Sequence, residues 1–537
     1  MNILDLKKKV GQLMVFGFNG KEATPEIKAL IKDYHLGAII LFGRNIGTPE
    51  EVLKLTTELQ RVAKEAGHKH PLLICTDQEN GAVRRLGEGT TIFPGAMLLG
   101  ATNKPENANK VGNATGKELK ALGINWNLSP VLDVNNNAQN PVIGVRSFGE
   151  SPSNVSLLGK ELMRGMQNAG MITTLKHFPG HGDTSVDSHL DLPTIDHDME
   201  RLQNVELLPF RDCIQNGADT VMTAHVYFPA IENRKNVPAT LSNKVINGLL
   251  REELGFDGVV TTDCMEMEAI SSTIGTPRGA VEAIKAGVDL VMISHSYSPQ
   301  VNSMEAVIHA VETGEIELET IDSSLNRVAK LKEKYLSWND IQFYEEIEVP
   351  EVVGCEEHDE MVNEVYRQGV TIVKNDQDIL PLSTDAFHRV LIVYPENNSK
   401  LGVEDKRYLS FSFGESIKEI HPNAQVVQLS NPPTEDEIND IALQAKTFDT
   451  VVVATLSAIT GSKQIKLVEK IVETNNRVVV VATRNPYDLA FLPNVPGYVC
   501  TYEFTTPALR IAAQAIYGKI LVEGKLPVTL PQQSAQK

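Results

Sequence analysis

GAIILFGRNIGTPEEVLKLTTELQRVAKEAGHKHPLLICTDQE, residues 37–79, sets the architecture of the first half of the chain. It opens on an apolar run, GAIILFG (37–43), and closes on another, LLICTDQE (72–79). Runs that are apolar throughout, rather than alternating, suit strands buried on both faces. The stretch between them, TPEEVLKLTTELQRVAKEAG (48–67), reads as a helix. Thr48 is placed to cap it, Pro49 suits its first position, and Glu51 completes a capping box. Val52, Leu55, Leu59 and Val62 then recur at helical spacing.

The same alternation extends in both directions. Further apolar runs stand at LMVFGF (13–18), INWNLSPVLDV (124–134), MITTLKHFPG (171–180), DTVMTAHVYF (219–228), GVVTTD (258–263) and DLVMISH (289–295). About eight β–α repeats of this kind predict an α/β fold of the (β/α)8 TIM-like barrel type, with insertions. Near residue 340 the texture changes. YLSWNDIQFYEEIEVPEVVGCEEHDEM (335–361) mixes acids, Pro and Gly without periodicity and reads as a linker. Buried-strand patterns return at 390–395, 449–457 and 477–486, which predicts a smaller α/β/α sandwich with a mostly parallel sheet. The expected division is a catalytic barrel over 1–338, a linker over 339–360 and the sandwich over 361–537. No GxGxxG follows the sandwich's first strand, so nothing there points to a dinucleotide.

A formal net charge of −19 argues against nucleic acid and anionic membrane surfaces as partners, since both favour clustered Lys and Arg. The five cysteines, at 75, 213, 264, 355 and 500, show no CxxC spacing, so neither a disulfide framework nor a Cys-based zinc site is expected. The N-terminus has only a short apolar run after its basic triplet, and no segment approaches a membrane span. A cytoplasmic setting fits this pattern. No oligomeric state is read from the sequence.

Active sites of such barrels lie where the strands end. Asp77, Glu79, Arg84 and Arg85 follow the third strand, Arg146 follows the fourth, Lys176 and His177 end the fifth, His225 the sixth and Asp263 the seventh. The fifth opens into LKHFPGHGDTSVDSHLDLP (175–193), which carries His177, His181, His189, Asp183, Asp187 and Asp191. Three readings are open for it. His177, His181 and His189 could give a metal three nitrogens, although FPGHG breaks the helix such spacings use and Lys176 opposes a cation. The loop could be polar and structural. Or Asp187-x-His189 could perform acid–base chemistry.

KHFPGHGDTSVDSH resembles the signature of bacterial-type β-N-acetylglucosaminidases of glycoside hydrolase family 3. TDQENGAVRRL, SPVLDVNNNAQNPVIGVRSFGE and GFDGVVTTDCMEMEAI stand in that family's order, and GVTIVKNDQDILPLS and GKLPVTLP resemble parts of its second domain. The resemblance implies retention of configuration through a covalent glycosyl-enzyme, with Asp263 as nucleophile and the Asp187–His189 pair as acid and base. It implies a sugar pocket built from Asp77, Arg85, Arg146, Lys176 and His177, with no metal and no cofactor. His181 would organise the loop; for His225 and Asp133 a structural role is expected. Asn80 stands where the family usually has Gly, a position Asn tolerates better than most residues.

The expected activity is therefore exo-acting removal of terminal N-acetylglucosamine from a small carbohydrate, either chitin oligosaccharides or cell-wall-derived muropeptides. Two alternatives accompany it. One is a phosphorylase, because a histidine base that is neutral when deprotonated repels phosphate less than a carboxylate does. The other is a non-catalytic amino-sugar binding protein.

Overall fold

The computed structural model describes residues 3–343, 346–396, 413–458 and 461–531. Eight parallel strands form the first sheet: β1 (Met14–Phe16), β2 (Ala38–Leu41), β3 (Leu73–Thr76), β4 (Trp126–Asn127), β5 (Ile172–Phe178), β6 (Thr220–Thr223), β7 (Val259–Thr262) and β8 (Val291–Ile293). Each pairs with its sequence neighbour from β1 to β7, and β1 also pairs with β8. A parallel bridge between Thr261 and Leu290 joins β7 to β8 and closes the ring. Every residue of these strands is buried, which is why they read as largely apolar runs without the alternation of a half-exposed sheet.

The helix that follows β2, Pro49–Glu65, forms as its capping residues predict. Thr48 Oγ1 accepts from the Glu51 amide at 3.3 Å, and Glu51 Oε2 accepts from the Thr48 amide at 2.9 Å. Inside the ring, Trp126 Nε1 donates to Thr174 Oγ1 at 2.6 Å and Thr174 meets Thr220 Oγ1 at 2.7 Å. These polar interior groups are thus satisfied among themselves, as burial demands. The fourth apolar run shrinks to the two-residue β4. Pro130 has no N–H to offer a ladder, and beyond it only an isolated bridge joins Val131 to Lys176.

The second sheet has six strands: β9 (Thr371–Asn375), β10 (Val390–Pro395), β11 (Gln425–Leu429), β12 (Thr450–Thr455), β13 (Val478–Ala482) and β14 (Gly497–Cys500). Their order is β11-β10-β12-β13-β14-β9, parallel except for the antiparallel β14–β9 edge. The stretch expected as linker holds neither helix nor strand among its described residues until the helix Glu356–Gly369 begins, inside the expected 339–360 span. That helix packs on the barrel side through Glu118, which accepts from His358 Nδ1 at 2.8 Å. A second contact between the units joins Asn135 Nδ2 to the Tyr487 hydroxyl at 3.0 Å. Among the described residues no helix is long and apolar enough to cross a membrane.

Candidate active site

The strand ends surround a cavity of about 640 Å³. Its floor is apolar, with Ile40, Leu128, Met222 and Met292 contributed by the strands and the turn after β4. Its polar lining has two parts, one deep and one at the mouth.

The deep part is a network of fixed charges. Lys176, on β5, lies 2.8 Å from Asp77 Oδ1 and 2.6 Å from Glu79 Oε1. Arg146 donates to Glu79 twice, from Nε and Nη2, both at 2.8 Å, and its Nη1 reaches the Val142 carbonyl at 3.1 Å. Arg85 Nη2 stands 3.6 Å from Asp77 Oδ2. The Lys176 side chain is only 2% exposed, and burial alone would favour its neutral form. Asp77 and Glu79 outweigh burial and hold its pKa above the ordinary lysine value. In the same way burial opposes the Glu79 charge, yet Arg146 and Lys176 keep its carboxyl well below the carboxylate range. Glu79, Arg146 and Lys176 therefore stay ionised, with donors and acceptors set before a ligand arrives.

His177 closes this part. Its Nδ1 donates to Asp133 Oδ2 at 2.7 Å, and its Nε2 faces Arg146 Nη2 at 3.4 Å. Asp133 is fully buried and also accepts from the amides of His177 (3.2 Å) and His181 (2.7 Å). Asp133 thus fixes two histidines of the signature loop at once.

Asp263 follows β7 and lines the cavity; its Oδ1 accepts from the Cys264 amide at 2.7 Å. Burial pushes its carboxyl up, but His177, His225 and His189 outweigh that and hold it below the usual aspartate value. His225 donates from Nε2 to the Cys264 carbonyl at 3.0 Å and so braces the residue next to Asp263.

At the mouth, Asp187 Oδ1 meets His189 Nδ1 at 2.6 Å and also accepts the His189 amide at 2.9 Å. Burial works against a charged His189, but the bond to Asp187 and the Asp263 charge raise its pKa above the ordinary histidine value. His181 ties the loop together. Thr184 donates to the His181 carbonyl at 3.2 Å, so its oxygen accepts from His181 Nδ1 at 2.8 Å. His181 Nε2 is left to accept from Ser188 Oγ at 2.9 Å, between Asp187 and His189. Burial and the neighbouring His177 lower the His181 pKa to about 4, so this tie holds as a neutral imidazole. Asp183 anchors the outer loop on His197 Nε2 at 2.7 Å.

The cavity thus brings together Asp77, Arg85, Arg146, Lys176, His177, His189 and Asp263, with Asp187 behind His189. His177, His181 and His189 each engage a different partner, and no group of three His, Cys, Asp or Glu among the described residues is arranged to hold a metal. Sequence reasoning placed Glu79 at a strand end without giving it a part in the pocket; it is the hub of the deep network. It also passed over Arg44 and His295, which line the mouth beside Phe42. Arg44 lies just past β2 as Asp77 lies just past β3, so the strand-end rule itself was enough to find it. Asn80 adopts a left-handed backbone, φ 71°, while its side chain bonds Gln78 and Thr115.

A closed parallel barrel with a carboxylate facing a charged, hydrogen-bonded pocket at its strand ends is the framework of a barrel hydrolase. The family follows from direct comparison: residues 5–331 match the glycosyl hydrolase family 3 N terminal domain and residues 370–537 its C-terminal domain. The chain belongs to glycoside hydrolase family 3 and is an enzyme of that class. It is similar to a family 3 beta-N-acetylglucosaminidase from Paenibacillus sp. str. FPU-7, at 42% identity and a TM-score of 0.92 over 99% of both chains. It is 32% identical to beta-hexosaminidase A of Pseudoalteromonas piscicida, over 94% of this chain and 91% of the relative. A beta-hexosaminidase of Hydrogenovibrio crunogenus is 34% identical over 54% of this chain and 81% of its own length.

Proposed function

We propose that this chain is an exo-acting, retaining β-N-acetylglucosaminidase that releases terminal N-acetylglucosamine from chitin oligosaccharides or cell-wall-derived muropeptides. The observation that carries the reading is the presence of Asp263 and His189 in one cavity, with Asp187 bonded behind His189. The names of the full-length relatives agree with it.

The terminal sugar sits in the deep part. Asp77 accepts from its hydroxyls, and Arg85, Arg146, Lys176 and His177 donate to its hydroxyls and acetamido group. Ile40, Leu128, Met222 and Met292 floor the cavity beneath the Arg146–Glu79–Lys176 network, which favours cleavage of a terminal residue over an internal one. In the first step the Asp263 carboxylate attacks the anomeric carbon. The bond to the departing oxygen breaks as His189 gives that oxygen its proton, leaving a glycosyl ester and a neutral imidazole. In the second step the imidazole takes a proton from water. The water oxygen attacks the anomeric carbon, and Asp263 leaves as carboxylate. Asp187 keeps Nδ1 occupied, so Nε2 is the atom that transfers the proton.

Product analysis on chitobiose, with and without inorganic phosphate, tests this reading. N-acetylglucosamine alone under both conditions is expected. N-acetylglucosamine 1-phosphate formed in phosphate would assign the second step to phosphorolysis, and an uncleaved but bound substrate would make the chain a binding protein.

A further inference from the structure

The loop that carries Asp77, Glu79 and Arg85 leaves β3, turns at Asn80–Gly81 and comes back to Gly95. The Gly81 amide donates to the Phe93 carbonyl at 3.1 Å, and an Asn80–Val83 bridge closes the turn. A side chain from the sandwich sits against this closure. Glu503, 2% exposed, accepts from the Gly95 amide through Oε2 at 2.8 Å. Its Oε1 accepts from the Tyr366 hydroxyl at 2.7 Å and from Thr505 Oγ1 at 2.8 Å. The fit is close. A Cβ built on Gly81 would meet Glu503 Oε2 and the Gly95 Cα, both at 2.7 Å, and one built on Gly95 would meet Glu503 Oε2 at 3.2 Å, so the carboxylate occupies the space a side chain at either position would need. Burial pushes the Glu503 carboxyl up; its bonds to Gly95, Tyr366 and Thr505, and the charge of Arg84 next to Arg85 in the loop, work against that.

We infer that Glu503 is a positioning residue: the sandwich domain braces the sugar-binding loop of the barrel through it, and so sets affinity for the terminal sugar without touching substrate. The inference rests on the proposed reading that Asp77 and Arg85 bind that sugar. It separates two roles for the second domain. A brace acts on ground-state binding of the sugar, whereas a domain glued on for stability alone acts on melting temperature.

The test measures binding of N-acetylglucosamine by calorimetry, together with kcat and KM on chitobiose and on a nitrophenyl N-acetylglucosaminide. Glu503→Ala should weaken N-acetylglucosamine binding and raise both KM values about tenfold, the order expected for leaving buried hydrogen-bonding groups unsatisfied. Its kcat should stay within about threefold, and the ratio between the two substrates should not change, because His189 and Asp263 are untouched. Glu503→Gln should recover most of the affinity: its carbonyl accepts from Gly95 while its amide donates to the Tyr366 and Thr505 oxygens. Tyr366→Phe and Thr505→Val each remove one donor and should weaken binding by about threefold, which keeps the test open if the alanine variant misfolds. A lowered melting temperature with wild-type sugar affinity in these variants overturns the inference. Asp77→Ala is the separate control. If it binds N-acetylglucosamine as wild type does, the reading of the pocket fails, whatever the Glu503 variants show.

Discussion

Replacing His189 with alanine removes the proton donor while leaving the deep network and Asp263 in place. The side chain is 38% exposed at the mouth and makes its hydrogen bonds within the Asp187 pair, so the fold should tolerate the change. What is lost depends on the leaving group. A sugar alkoxide needs protonation as it departs; a nitrophenolate does not. General acid catalysis is typically worth about 10² to 10⁴ in rate, or about 3 to 5 kcal/mol of barrier. The 2.6 Å bond to Asp187 and the Asp263 charge raise the His189 pKa above the ordinary histidine value, which extends to higher pH the range over which the wild type has this proton to give. His189→Ala should therefore lose about 10² to 10⁴ more activity on chitobiose than on nitrophenyl N-acetylglucosaminide. With the aryl substrate the slow step moves to hydrolysis of the intermediate. Stopped-flow release of nitrophenolate should then show a burst, and azide, which needs no base, should speed turnover. Equal losses on both substrates, with no burst and no azide effect, would refute an acid–base role.

Asp187→Ala removes the bond that most strongly raises the His189 pKa, so the basic limb of the kcat/KM profile should move to lower pH; an unmoved limb would detach it from His189. Glu79→Gln leaves Lys176 and Arg146 buried without their shared carboxylate, and urea unfolding should show a loss of about 3 kcal/mol together with a higher KM; a loss under 0.5 kcal/mol would show the network is relaxed by water (about the usual surface effect). Lys332 is buried on neutral partners, Gln12 Oε1 at 3.1 Å and the Gly37 carbonyl at 3.0 Å, and burial lowers its pKa to about 7. The unfolded chain holds that proton to about pH 10.4. The folded state thus bears its full penalty below about 7, and stability should recover as pH rises from there toward 10. Lys332→Met should raise stability at neutral pH and flatten that rise, and unchanged urea midpoints would contradict it.

The barrel was legible because burial on both faces leaves an unmistakable mark: β1, β2 and β8 are apolar at every position, and β3 at all but its terminal Thr76. The sandwich was only half legible for the same reason. The central β10, β12 and β13 are Val-rich and buried, and were found. β11, Gln425–Leu429, is an edge strand with exposed and half-exposed residues, and β14 opens on Gly497 straight after Pro496, so neither carries the pattern. In the site, the strand-end rule located Asp77, Arg146, Lys176, His177 and Asp263, because the chain itself places them. It could not show that Glu79 joins Arg146 to Lys176, or that Glu503 arrives from more than 400 positions away to meet Gly95, since such pairings exist only after folding. The same holds for Asp133. Read alone it is one acid in an Asn-rich stretch; folded, it holds His177 and His181.

The central claim is a covalent intermediate on Asp263. A 2-acetamido-5-fluoro glycoside with a good leaving group should inactivate the protein with one-to-one stoichiometry, and peptide mass spectrometry should place the added sugar on Asp263. Asp263→Asn should take up no label and lose turnover by several orders of magnitude. Label on another residue, or full turnover with no label and unchanged activity in Asp263→Asn, would contradict the account.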